Sequence, residues 1–161
     1  MSRAFRRSAL IGAGLATALA AGTVVVACQS SSSDSASAAP PQLSVADPYI
    51  PLPATPGGMG AGYLTVRNDG GADRLVKVSS PGAGSVTMHR STEKTMEEVG
   101  ELAVPAHGTL DLARGGTHLM IMDWAKQPAL GDEVELDLEF AKAGTVVVKV
   151  PVKPLTYRPG S

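Results

Sequence analysis

One cysteine, Cys28, is all the thiol chemistry this chain of 161 residues carries. No intramolecular disulfide can form, and a cysteine-based zinc or redox site within one chain is excluded. A cysteine nucleophile and the His-His-Cys set of a blue-copper centre go with it, because the N-terminal pattern described below claims Cys28 as an anchor. A basic excess is missing too. The formal net charge is -1, and without the three arginines of the first 28 residues 11 basic residues face 15 acidic ones. Nucleic-acid binding wants a basic face, so no nucleic-acid partner is expected. Gly-x-Ser-x-Gly, His-Glu-x-x-His and phosphate-cradling loops are all absent, and nothing else marks an enzyme. No long stretch has helical periodicity, and no internal repeat is evident.

What is present divides the chain into four parts. Residues 1–28 read as an export signal: Arg3, Arg6 and Arg7 precede an uncharged apolar run that ends in Val25-Val26-Ala27-Cys28. This ending resembles the lipobox of bacterial lipoproteins, in which the cysteine is lipidated and becomes the new N-terminus. Residues 29–41 are a Ser/Ala/Pro-rich linker, whose composition buries nothing and stays flexible. Residues 42–153 form a domain, and 154–161 a tail expected to fray. The expected location is a lipid anchor on the extracytoplasmic face of the cell membrane, with the domain acting as a monomer.

The signals after Leu43 are those of β structure. Short apolar or alternating runs recur about every ten residues, parted by glycine, proline, asparagine and aspartate. Strands are expected near 42–47, 59–68, 73–79, 84–90, 95–104, 108–113, 117–123, 132–140 and 144–152. The clearest is Glu133-Val134-Glu135-Leu136-Asp137-Leu138-Glu139-Phe140, acid out and apolar in. The fold class is all-β, a sandwich or barrel.

Soft metal donors concentrate in one stretch. All three histidines, His107 among them, and four of the six methionines lie between Met88 and Met122. Imidazole and thioether without cysteine point to monovalent copper more than to zinc. Residues two apart on a strand share a face. Leu119 and Ile121 therefore belong to the core, and His118, Met120 and Met122 to the other face. The same alternation sends Val86 and Met88 inward and Thr87 and His89 outward. A hairpin after His89 brings Met96 back toward it. The candidate ligands are thus His89, Met96, His118 and Met120, with Met88 a weaker substitute. The competing reading is that the methionines fill a core. His107 reads as a solvated turn residue and Met59 as core. Glu93, Glu97, Glu98 and Asp123 lie nearby, but their spacing shows no calcium loop.

Several stretches carry a family resemblance. They include Gly60-Ala61-Gly62-Tyr63-Leu64-Thr65-Val66-Arg67-Asn68, Val86-Thr87-Met88-His89, Val104-Pro105-Ala106 and Gly131-Asp132. The strongest is Gly115-Gly116-Thr117-His118-Leu119-Met120-Ile121-Met122. From about Leu43 to Val152 the chain resembles the PCuAC family of periplasmic or surface copper chaperones. The family motif is a histidine, a spacer, a methionine, 21 residues and His-x-Met. Here 21 residues separate Met96 from His118, and Met120 completes the motif. Six residues separate His89 from Met96, where the family pattern has ten. Asp123-Trp124 stands where the family more often has a small residue and leucine, and Trp124 is expected beside or over the site. The resemblance implies a cupredoxin-like Greek-key fold and one Cu(I) held by His89, Met96, His118 and Met120. It also implies delivery to the copper centre of cytochrome c oxidase or its assembly factors. Two other functions fit the same pattern: copper sequestration for resistance, and a non-metal interaction module on the cell surface.

Overall fold

The computed structural model describes residues 39–160. The export signal, Cys28 and most of the linker lie outside the described residues. Among the described residues no helix is long and apolar enough to cross a membrane. Ten strands make up the fold: β1 (Leu43–Pro51), β2 (Gly60–Asn68), β3 (Asp73–Ser79), β4 (Ala83–Ser91), β5 (Met96–Glu98), β6 (Leu102–Val104), β7 (Gly108–Leu112), β8 (Thr117–Trp124), β9 (Glu133–Phe140) and β10 (Gly144–Lys153).

They hydrogen-bond in the order β5-β4-β8-β2-β1-β10-β9-β3-β6, with β7 also on β2. All pairings are antiparallel except that of β1 with β10. The sheet curls on itself, because residues from both ends of this order share one core. Leu119, Ile121 and Met88 from β8 and β4 meet Leu136, Leu138, Leu75 and Val104 from β9, β3 and β6 in a single cluster. Every residue of that cluster lies between Ile50 and Val150, so the described segment carries its own core. Alternation explains the faces. In β9, Leu136, Leu138 and Phe140 are buried while Glu133, Glu135 and Glu139 are exposed.

Three expectations change. The run 95–104 is two strands: β5 pairs with β4, and β6 pairs with β3 on the other side of the curl. Val99-Gly100-Glu101 carries the chain across. The first strand does not stop at Asp47-Pro48. Asp47 takes φ 49°, the register shifts there, and the chain resumes as Ile50 and Pro51 alongside β10. Backbone pairing outweighs the local turn preference of Asp-Pro. The tail, expected to be loose, touches the domain at two points among the described residues. Tyr157 meets Tyr49 edge-on with ring centroids 5.0 Å apart, and Arg114 Nη2 donates to the Leu155 carbonyl at 3.2 Å.

The expected turn at Asn68-Asp69-Gly70-Gly71 is fastened from within. Asn68 is 1% exposed. Its Oδ1 accepts from the backbone N–H of Gln42 at 3.1 Å and Gly70 at 3.0 Å. Its Nδ2 donates to the carbonyls of Gly71 at 2.8 Å and Pro105 at 3.0 Å. All four hydrogen-bonding positions of the amide are used, which is what burial of an asparagine requires.

Candidate metal centre

The β5-β4-β8-β2 part of the sheet positions the donors. Leu119 and Ile121 are fully buried and Met88 is 5% exposed, so this side of β8 and β4 is core. The opposite face carries the rest. In an antiparallel pair, directly opposed residues project to the same face. His89 stands opposite His118 on β8 and opposite Glu98 on β5. One row toward the hairpin tip, Ser91 stands opposite Met96. One row the other way, Thr87 stands opposite Met120, and Met120 opposite Ala61 on β2. Met96 and Met120 thus flank the histidine pair from opposite sides, each one diagonal step from His89. Such diagonals span about 7–8 Å between Cα atoms, within reach of long side chains. A methionine has three rotatable bonds with which to use that reach.

The short link between His89 and Met96 keeps this parity. It is a tight tip, closed by a hydrogen bond from the Thr92 N–H to the Thr95 carbonyl at 2.8 Å. Thr92 Oγ1 also accepts from the Thr95 N–H at 3.1 Å. With Ser91 and Met96 opposed at its base, the shortened loop still returns Met96 to the face of His89.

The two imidazoles face each other, ring centroids 5.9 Å apart and planes inclined by 25°. Two imidazoles sharing one ion, with metal–nitrogen bonds of about 2.0–2.1 Å, have centroids no more than roughly 6.5 Å apart. The observed separation lies within that limit. Hydrogen bonds then fix which nitrogens are available. His118 Nδ1 lies 3.0 Å from the Gly116 carbonyl oxygen, which can only accept. Nδ1 therefore holds the proton, and Nε2 keeps a bare lone pair. His89 is held the other way round. Its Nε2 lies 2.9 Å from Thr87 Oγ1, and its Nδ1 is buried with no partner. An orphaned buried N–H is the costlier arrangement. A neutral ring that donates from Nε2 to Thr87 leaves Nδ1 as a lone pair and avoids that cost. Each histidine offers one unprotonated nitrogen, of opposite type.

A wall of rings stands behind His118. Tyr63 lies 6.4 Å away between centroids, and Tyr49 packs 5.1 Å beyond it. The Arg114 guanidinium sits 5.3 Å from the Tyr63 centroid. Burial raises the Tyr63 phenol above its ordinary value of 10.0; nearby Arg114 partly opposes this.

Of the sequence-predicted donors, His89 and His118 are together, and Met96 and Met120 share their face. Met88 points into the core, as strand alternation requires. His118 is 9% exposed, deeper than an open-rim residue. Two expectations fail. Met59 is 63% exposed rather than core. Trp124 neither lines nor covers the site. It is six positions along β8 from His118, about 20 Å at strand rise, and its Nε1 donates to the Gly58 carbonyl at 3.1 Å. Asp123, at φ 54°, breaks the alternation just before it and turns the indole onto the core against Gly60. Among the described residues no three His, Cys, Asp or Glu side chains cluster as a metal site. Sequence reasoning overlooked Thr87 and the Gly116 carbonyl. Both lie two residues before a histidine; for Thr87, alternation places the hydroxyl on the face of His89.

The comparisons bear on the fold and the family. The "Apo PCuAC domain from PmoF1" superposes with TM-score 0.62 at 28% identity, covering 70% of this chain and 93% of that one. The solution structure of CuI-DR1885 from Deinococcus radiodurans superposes with TM-score 0.56 at 28% identity, covering 70% of this chain and 80% of that one. The all-β cupredoxin-like architecture expected from the sequence is therefore the one observed. "Putative lipoprotein Lxx21020" of Leifsonia xyli subsp. xyli is 35% identical over 102 residues, which are 60% of this chain and 61% of that protein. The family model described as "Putative lipoprotein LpqE-like" matches residues 43–152, from the first residue of β1 to the penultimate residue of β10. With the sandwich and its paired histidines inside that span, the chain belongs to the LpqE-like family.

Proposed function

We propose that this protein is an extracytoplasmic copper carrier. Its domain binds one Cu(I) through His89 Nδ1, His118 Nε2, Met96 and Met120. The observation that supports this best is the histidine pair, opposed across β4 and β8 and each with one unprotonated nitrogen. Thioethers favour the reduced ion because they are soft and polarizable. All four donors are neutral, so the bound site keeps only the metal's charge. Neutral thioethers hold the ion less firmly than thiolates, which suits a carrier that must let go. The solved copper-loaded relative of the same fold supports copper as the cargo.

In this reading Cys28 carries the lipid, and residues 29–41 hold the domain off the extracytoplasmic face of the membrane. The copper centre of cytochrome c oxidase, or one of its assembly factors, receives the ion through an encounter in which donor and acceptor ligands share it. The ligand set is tested by titrating Cu(I) against a competing chelator in the wild type, His118→Ala and Met120→Ala. Both variants bind more weakly; equal affinity in all three would sink the assignment. Delivery is tested by deleting the gene and measuring copper in the oxidase. A fully loaded oxidase would reject delivery and leave sequestration.

A further inference from the structure

Two exposed or half-exposed methionines remain outside the proposed ligand set. On β8, His118, Met120 and Met122 follow one another on the same face. Met122 stands opposite Ser85 on β4. On its other side β2 runs in register, with Ala61 opposite Met120 and Gly60 opposite Ile121. One more step of that register puts Met59 opposite Met122. The segment does stay alongside β8 there, because Trp124 Nε1 donates to the Gly58 carbonyl. Gly60 faces the indole and the core, so its neighbour Met59 faces the other way. Met59 is 63% exposed, an unusual place for a side chain that gains by burial.

We propose that Met59 and Met122, with Met120 shared, form a second, thioether-only site for a soft monovalent cation. Cross-strand neighbours on one face have Cβ atoms about 4.5–5.5 Å apart. Two thioether arms from such positions, each with three rotatable bonds, can converge on one ion. Met120 is one diagonal step from Met59 and two residues from both His118 and Met122. It can therefore bind an ion with Met59 and Met122, then swing it toward the histidines without the ion becoming free. Lacking imidazole, the second site is the weaker of the two. The sharing of Met120 rests on the copper-carrier reading; the Met59–Met122 pair does not.

The test uses the segment beginning at Ala39, which carries its own core, with its methionine methyl groups isotopically labelled. Ag(I) serves as a soft monovalent probe that does not change oxidation state. The first equivalent moves the methyl resonances of Met96 and Met120, and the second moves those of Met59 and Met122. Buried Met88 stays in place as an internal control. In Met59→Leu/Met122→Leu, a volume-conserving change, the second equivalent is lost and the first retained. If Met59 and Met122 do not respond after Met96 and Met120 have, the second site does not exist. Movement of all four together with the first equivalent also overturns it, since that is one site. If Met59 and Met122 respond while Met96 and Met120 stay still, the second site stands and the ligand set proposed above falls.

Discussion

Thr87→Val isolates the hydroxyl that orients His89. The substitution keeps the shape of the side chain and removes only the group 2.9 Å from His89 Nε2. A neutral hydrogen bond is worth about 1 kcal/mol net. Losing the partner that orients a metal-bound histidine typically costs about 10–100-fold in metal affinity. Two features place this case at the low end. The hydroxyl is uncharged, and the imidazole remains packed against His118 at 5.9 Å. The expected loss is about tenfold in Cu(I) affinity, or about 1.4 kcal/mol. Folding stability changes by no more than about 1 kcal/mol, because Thr87 is only half-buried. Chelator competition measures the first quantity and chemical denaturation the second. Histidine nitrogen shifts supply a third readout. In the wild type His89 carries its proton on Nε2 and His118 on Nδ1; in Thr87→Val the His89 proton is distributed over both nitrogens. Thr87→Ser restores affinity and proton position together. Wild-type affinity in Thr87→Val, with the His89 proton still on Nε2, would refute the role of Thr87 in orienting His89; a His89 proton on Nδ1 in the wild type would refute the assignment of Nδ1 as the donor.

Three further outcomes follow from the same structure. Met88→Ala lowers stability by about 2–5 kcal/mol, the cost of a core cavity. Met96→Leu, at a position 56% exposed, leaves stability within about 0.5 kcal/mol but weakens Cu(I) binding; the reverse pattern in denaturation and titration would exchange their roles. Asn68→Ala strands the Gln42 and Gly70 N–H groups and two carbonyls, and costs about 2–3 kcal/mol on denaturation. For Tyr63, folded and unfolded phenols are both neutral well below 10.0, so stability there is indifferent to its titration. Above that value the unfolded phenol ionises first, and stability falls as pH rises through the raised folded value. Tyr63→Phe flattens this alkaline loss, as denaturation at a series of alkaline pH values checks.

Period-two alternation made the site's face legible in the sequence. It separated Leu119 and Ile121 from His118 and Met120, and Met88 from His89, and the structure places each of those residues accordingly. What alternation misses are the points where the backbone departs from the strand. Asp123 takes a left-handed conformation, and Trp124 then points where parity would not send it. Asp47-Pro48 has the local chemistry of a turn, yet β10, about a hundred residues away, captures the chain beyond it. Nothing local foretells that pairing. Met59 precedes its strand by one residue, and its burial depends on which neighbour the 52–59 loop lies against. The split of 95–104 is of the same kind. Both halves have strand composition, and only the curl of the sheet decides that they serve opposite sides.

The position of β5 has a consequence for timing. It is three residues long, fully exposed, and forms the edge of the sheet. His89, His118 and Met120 stand on strands paired on both sides, while Met96 alone stands on this edge. Short exposed edges open locally at a small fraction of the free energy of global unfolding, and hairpin-scale motion takes microseconds. In the proposed site one donor of four is therefore on a fast hinge. Its amide hydrogens exchange long before those of β8, and the lifetime of the bound ion is set by the fraying of a hairpin tip rather than by the stability of the sandwich.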